Sequence, residues 1–475
     1  MVGKSLKMQY NGVGKSLMEV QMLKRKAEKL LLEWLESKDA LLITGARQVG
    51  KSYLVRNFLK DKFDHFIEIN LYEHKEWIPV LEQAKNADDL LFRITAFAEE
   101  DLEEGTTLVF FDEIQYAKHC DLVTMAKFLV EKGKYRFVFS GSMLGVELNN
   151  VASWPTGYMR EFQMYPMDFE EFLWSVGLNQ SVIEHLETCF NEKMPVDTFV
   201  HERLMDAFYK YLLIGGMPEA VQAFVETNDL KKVNDVQEKI NNYYKKDVTQ
   251  YSPIEQKIHL ETIYRLIPQE LNKQNKRFKL KEVGCGYEIN NIQDDFMWLK
   301  KAGVALPAYN VDEPKIPLEL ACKRRLAKVF HSDVGMLCYM LMDTNIQIKL
   351  LSKEKDINYG SIFENVVAQE LVAHGFRELY YFNSKKQGEL DFLIEYKGNI
   401  LPIEVKSGKD YKKHSALNNV LSNAEYDIPQ AIVLCNENVN QEEKVLYLPI
   451  YMVMFLKKAI SHSTIVTLDM TSLKI

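Results

Sequence analysis

The eight residues Gly45-Ala46-Arg47-Gln48-Val49-Gly50-Lys51-Ser52 constrain this chain more than any other stretch. They fit the pattern G-x-x-x-x-G-K-[ST], in which the first glycine lets the chain leave a strand and curl until its backbone N–H groups point inward at phosphates. The apolar run Leu41-Leu42-Ile43 just before it reads as a buried strand, and the residues after it as a helix whose positive N-terminus faces the same anion. In such a loop Lys51 reaches the β- and γ-phosphates and the Ser52 hydroxyl sits on Mg²⁺, so ATP with Mg²⁺ is the expected ligand. The tetrapeptide Val-Gly-Lys-Ser also occurs at Val2–Ser5 and Val13–Ser16. Neither copy follows a strand, and Gln9 stands where the second would need its first glycine. Residues 1–21 are therefore expected to be a disordered arm with no part in nucleotide binding.

Downstream, "HFIEINLYE" reads as a second strand and "TTLVFFDEIQYA" as a third whose apolar run ends in Asp112-Glu113. An acidic pair at a strand end suits nucleotide hydrolysis: Asp112 holds Mg²⁺ through water and Glu113 polarises the attacking water. The next strand, "YRFVFSGSML", ends at Ser140, a candidate sensor of the γ-phosphate. Strands alternating with helices imply an α/β fold with an open parallel sheet and a site at the strands' carboxyl ends. A phosphate loop also occurs in small-molecule kinases, but the Asp-Glu pair favours water over an acceptor hydroxyl.

The 475 residues are 47% hydrophobic, enough for large cores, and at roughly 150 residues per domain the length suits about three domains. A net charge of −8 argues against a surface that coats itself in nucleic acid, so any DNA contact must come from local patches. Cys120, Cys189, Cys285, Cys322, Cys338 and Cys435 include no C-x-x-C pair, which speaks against a zinc site or a disulfide framework and for a reducing, cytoplasmic setting. No apolar stretch approaches the roughly 18 residues of a membrane span, so no membrane partner is expected.

From 201 to 345 the pattern turns helical. Within it, "HLETIYRLIPQELNKQNKRFKLKEV" and "IQDDFMWLKKAGVALPAYNV" give helix, basic turn, helix and a strand pair, the order of a winged helix. Lys273, Lys276, Arg277, Lys279 and Lys281 supply a basic string that can touch DNA phosphates. From 346 to 475 a second constellation follows. Glu364 lies on a helix, Asp391 on one strand, and Glu404 and Lys406 two apart on the next, hence on one face. Asp391 and Glu404 can share Mg²⁺ or Mn²⁺, Glu364 can add an outer carboxylate, and Lys406 can stabilise charge on a phosphate or orient water. Lys385, Lys386, Lys409, Lys412 and Lys413 flank these acids as possible backbone contacts, and His414 beside them reads as a surface residue.

Together "GARQVGKS", "LVFFDEIQ", "FSGSML", "YPMDFEEFL" and "YLLIGGMPEAV" resemble the prokaryotic AAA+-type ATPases of the archaeal-ATPase-like branch that carry a C-terminal nuclease-like domain. The resemblance runs from about Met22 to the C-terminus and implies an AAA+ P-loop ATPase domain over 22–200. The D…E-x-K spacing of Asp391, Glu404 and Lys406 resembles the PD-(D/E)xK nuclease superfamily, close to its Holliday-junction-resolvase-like members. It implies a restriction-endonuclease-like fold over 346–475. The chain departs from the first pattern at Tyr158, where a basic residue is usual; Arg160 is the nearest substitute for an arginine acting in trans within a homo-oligomer. The function expected is ATP-driven DNA processing with a nucleotide-gated, metal-dependent nuclease domain. The alternative is an NTP-driven switch that binds DNA or protein through an inactive nuclease fold.

Overall fold

The apolar run before the phosphate loop forms strand β1 (Ala40–Thr44), buried at every position. The computed structural model describes residues 23–98, 102–117, 122–142, 155–250, 257–273, 276–278, 289–354 and 357–458. In it β1 is joined by β2 (His65–Asn70), β3 (Thr107–Asp112), β4 (Arg136–Ser140) and β5 (Met159–Gln163) in the order β2-β3-β4-β1-β5, every neighbour parallel. Central strands this apolar need cover on both faces. Alternation supplies it: Ala40, Leu42, Val109, Phe111 and Phe139 enter one core, and Leu41, Ile43, Leu108, Phe110 and Val138 the other. The first core is closed by the helices Ala87–Phe97 and Leu122–Lys132. The second runs on through the middle helices into the C-terminal part of the chain.

The middle of the chain is helical, with Thr198–Ile214, Pro218–Thr227, Leu230–Gln250, Lys257–Leu271 and Ile289–Lys301. The turn at Gly215-Gly216 has a steric reason: a Cβ on Gly216 would lie 1.9 Å from the carbonyl oxygen of Met167, whose own N–H donates to the Gly216 carbonyl at 2.7 Å. Backbone contact this close leaves no room for a side chain.

The strand pair expected as a wing, β6 (Ala305–Val311) and β7 (Cys322–His331), has a different place. It forms one edge of an eight-stranded mixed sheet with β8 (Leu379–Ser384), β9 (Gly388–Tyr396), β10 (Asn399–Val405), β11 (Ala431–Cys435), β12 (Asn440–Glu442) and β13 (Val445–Pro449). The order is β12-β13-β11-β10-β9-β8-β6-β7, and β6 lies parallel to β8, pairing Ala308 with Leu379. All seven residues of β6 are buried, which an isolated wing does not offer. A boundary at 345/346 therefore divides strands of one sheet. Lys279 and Lys281 of the basic string lie outside the described residues. The helix Gly360–Ala373 packs across β7, β8 and β10. Among the described residues no helix is long and apolar enough to cross a membrane.

Candidate functional sites and the path between them

At the end of β1 the chain turns through Gly45 at φ +134°, and a Cβ there would lie 2.2 Å from the carbonyl oxygen of Met164. Only glycine fits between the loop and the residue that follows β5. Gly50 then caps the helix Lys51–Leu54 in a left-handed conformation. Between them Ala46 and Val49 are buried, Arg47 is half-buried and Gln48 is exposed. Lys51, 5% exposed, donates to the Gly45 and Ala46 carbonyls at 3.0 and 2.8 Å, so the loop folds around its own ammonium. Burial lowers the Lys51 pKa, with Glu113 and Asp112 pulling the other way.

The Ser52 hydroxyl donates to Asp112 Oδ2 at 2.7 Å, Asn70 Nδ2 reaches the same oxygen at 3.2 Å, and the Ser140 hydroxyl bonds to Oδ1. Burial raises the Asp112 pKa, and the Ser140 bond works against that rise. Ser140, the candidate γ-phosphate sensor, is thus bonded to Asp112. Glu113 sits at φ +55°, a strained setting for a residue with a side chain, and its carboxylate accepts from Gln115 and, at 3.2 Å, from the Ser142 hydroxyl. These residues fit a nucleotide with its metal. Mg²⁺ would be held by Ser52 and Asp112 and would neutralise charge building on the phosphates. Arg160 is exposed on the edge strand β5.

The second constellation also comes together. The antiparallel register of β9 and β10 ends at Phe392 opposite Ile403, and one step on sets Asp391 opposite Glu404. Asp391 Oδ2 accepts from the Val405 N–H at 2.8 Å, and Lys406 Nζ donates to Glu404 Oε1 at 2.7 Å. Glu364 approaches from the helix Gly360–Ala373 and is 4% exposed. Burial and the charge of Asp391 push the Glu404 pKa up to about 8, against the pull of Lys406. The same two causes raise that of Glu364.

Two cations complete the cluster. Lys328 on β7 is fully buried, 2.7 Å from Glu389 and 4.0 Å from Glu364, and Lys276 pairs with Glu364. Burial works against the Lys328 charge, but Glu364, Asp391 and Glu389 outweigh it and raise its pKa. Glu364 Oε2 and Glu404 Oε2 are buried without a hydrogen-bond partner. Even so, among the described residues no group of three or more His, Cys, Asp or Glu side chains is arranged to hold a metal ion. As placed, the carboxylates are answered by lysines. Lys385, Lys386 and Lys409 are exposed near this cluster, whereas Lys412 and Lys413 pair with Glu442 and Asp410. His414 is buried rather than at the surface, bonded to the Tyr447 hydroxyl at 2.9 Å.

A bonded path joins the two regions through residues that sequence reasoning missed. Arg25 donates to the Val49 carbonyl of the phosphate loop at 2.9 Å, to the Tyr165 carbonyl at 2.8 Å and to Glu171 at 3.1 Å. Glu171 and Asp168 form a capping box on the helix Phe169–Ser175. Asp168 in turn contacts Lys26 Nζ at 2.5 Å and His374 Nε2 at 3.2 Å. Glu370 accepts from the Phe169 N–H at 2.8 Å and from the Tyr211 hydroxyl at 3.2 Å. Glu370 and His374 end the helix that carries Glu364. In the sequence, Arg25 sits in the basic run "LKRKAEK", which carries no sign of burial.

Residues 37–173 match the family model described as an AAA domain. Residues 205–347 and 359–453 match two domains of unknown function, DUF8612 and DUF4143. The chain is 23% identical over 457 residues to an uncharacterized protein of Methanocaldococcus jannaschii, across 92% of this chain and 88% of that one. Among solved structures, the Walker-type ATPase of Pyrococcus abyssi aligns at a TM-score of 0.44 and 15% identity, over 70% of this chain and 99% of that one. The Aeropyrum pernix ORC1 protein in complex with DNA aligns at 0.30 and 12%, over 70% and 93%. The phosphate loop, the acidic strand end beside it and the match over 37–173 make the first part of this chain a P-loop ATPase domain of the AAA type.

Proposed function

We propose that this protein couples ATP hydrolysis in its first domain to the handling of a DNA backbone by its C-terminal domain. In the ATPase domain Lys51 and the loop N–H groups bind the phosphates, Asp112 with Ser52 holds Mg²⁺, and Glu113 polarises the attacking water. In the C-terminal domain Asp391, Glu404 and Lys406 form the phosphodiester site, with Glu364 as the outer acid and the exposed lysines as backbone contacts. The observation that carries the coupling is the helix Gly360–Ala373. It presents Glu364 to the acid cluster, and its far end is bonded through Asp168 and Glu171 to Arg25 on the Val49 carbonyl. A loop that opens for phosphates changes what Arg25 can reach, and the path leads to the second cluster.

A second reading rests on the lysines. With Lys276 and Lys328 on Glu364 and Lys406 on Glu404, the C-terminal acids are neutralised internally, which suits a domain that binds DNA or protein without cutting it. Cleavage assays on branched, linear and single-stranded DNA, with Mg²⁺ or Mn²⁺ and with or without ATP, separate the readings. Cutting that is lost in Asp391→Ala and Lys406→Ala, and altered in Lys51→Ala, supports a gated nuclease. ATP hydrolysis with no cutting of any substrate supports the switch.

A further inference from the structure

The helix Leu230–Gln250 brings Tyr243, Tyr244 and Asp247 against the phosphate loop. Asp247 accepts from Arg47 Nη1 at 2.8 Å, with its own side chain 4% and that of Arg47 18% exposed. The Tyr244 hydroxyl donates to the Arg47 carbonyl at 3.2 Å, and the guanidinium lies 5.8 Å from the centre of the Tyr243 ring. Three side chains of one helix thus grip one residue of the loop. Burial raises the Asp247 pKa to about 6 against the pull of Arg47, with the Glu113 charge adding to the rise and Lys51 opposing it. A buried acid bonded to a residue of the phosphate loop is out of keeping with a site for anions: it would repel a phosphate, and it occupies a cation that could otherwise meet one.

Carboxylate and phosphate oxygens present the same acceptor chemistry to a guanidinium, and the more highly charged phosphate is the stronger partner. We propose that Asp247 is a built-in stand-in for a nucleotide phosphate: it holds Arg47 in the nucleotide-free chain and gives Arg47 up to the phosphates when a nucleoside triphosphate binds. The exchange loosens the helix Leu230–Gln250 from the loop, which carries nucleotide occupancy into the middle of the chain. This inference rests on the reading of Gly45–Ser52 as a nucleotide site. Asp247 is a positioning residue here, acting on the ligand through Arg47.

The test is titration of the full chain with a fluorescent ATP analogue at fixed Mg²⁺ and salt, for native protein, Asp247→Asn, Arg47→Gln and the double variant. Asp247→Asn is near-isosteric and is expected to bind about ten-fold tighter, a change worth about 1.4 kcal/mol. That gain should largely vanish in the Arg47→Gln background, because the two residues act as a pair. Asp247→Glu, which keeps the charge, should stay within about two-fold of native and serves if the asparagine variant does not fold. Hydrogen exchange supplies a readout that a merely structural ion pair would not move. ATP should raise exchange across 230–250 in the native chain, and Asp247→Asn should show that raised level without ATP. Unchanged or weaker binding by Asp247→Asn overturns the proposal, as does a gain that persists in full without Arg47. If the native chain binds no nucleotide at all, the nucleotide-site reading fails and takes the proposal with it.

Discussion

Replacing Asp168 with alanine tests whether the contact between the ATPase domain and the helix Gly360–Ala373 depends on its burial. The carboxylate is 4% exposed, 2.5 Å from Lys26 Nζ and 3.2 Å from His374 Nε2, which is itself 3% exposed. It also caps the helix Phe169–Ser175 by accepting from the Glu171 N–H at 2.9 Å. Burial works against its charge, but Lys26 and the His374 hydrogen bond outweigh it and hold the carboxyl below the ordinary range. Removing a cap costs about 1 kcal/mol. Breaking a buried pair from one side costs about 3–5 kcal/mol. Lys26 keeps Glu170 at 2.6 Å, which favours the lower end of that range. Asp168→Ala should therefore lose about 4 kcal/mol in total. The control is Asp88→Ala: its pair with Lys132 is 2.7 Å long but 70% and 40% exposed, so its loss should stay within about 1 kcal/mol. Urea unfolding of the full chain measures both. Because the folded pKa of Asp168 is depressed, its stabilisation is present above the ordinary carboxyl pKa and lost as pH falls below it, so the variant should also show a flatter acid limb. Equal losses from Asp168→Ala and Asp88→Ala would refute the claim that environment, and not distance, sets the worth of the contact.

Two further outcomes follow from the ATPase site and one from a buried histidine at the end of β7. Gly45→Ala forces a Cβ to 2.2 Å from the Met164 carbonyl oxygen, so it should cost about 1–3 kcal/mol in strain and weaken ATP binding at least ten-fold, read by urea midpoint and nucleotide titration. Glu113→Gln should cut steady-state ATP hydrolysis by about 10²–10⁴-fold while leaving the ATP dissociation constant within a few-fold, since only the group proposed to polarise water is changed. His331 is fully buried, and burial lowers its pKa from 6.5 to about 4. Its stabilisation is complete above the unfolded pKa and is lost as pH falls toward 4, a loss of about 3 kcal/mol. His331→Gln should remove that much of the slope between pH 6.5 and 4 in denaturation series, whatever its absolute stability.

The parts of this molecule that were legible in its sequence are those whose chemistry is local. The phosphate loop is eight consecutive residues behind an apolar strand, and Asp112-Glu113 close another such strand, so neighbouring residues suffice to recognise them. Strand partners are not local. The sequence marks a strand pair after Gly303, but only the fold sets Ala305–Val311 beside β8 and not in a free wing. Buried charge is the hardest to read. Lys328 in "LAKVF", Arg25 in "LKRKAEK" and Asp247 in "KKDVTQ" look like any solvated charge, because the partner that makes burial tolerable lies far along the chain. Arg25 and Glu171 are 146 residues apart, Arg47 and Asp247 200, and Asp168 and His374 206. A charge taken out of water survives only with such a partner. The residues that join separate sites are therefore ones that neither periodicity nor spacing can reveal. The local motifs say which chemistry each site can perform, and the long-range ion pairs determine how the sites can influence one another.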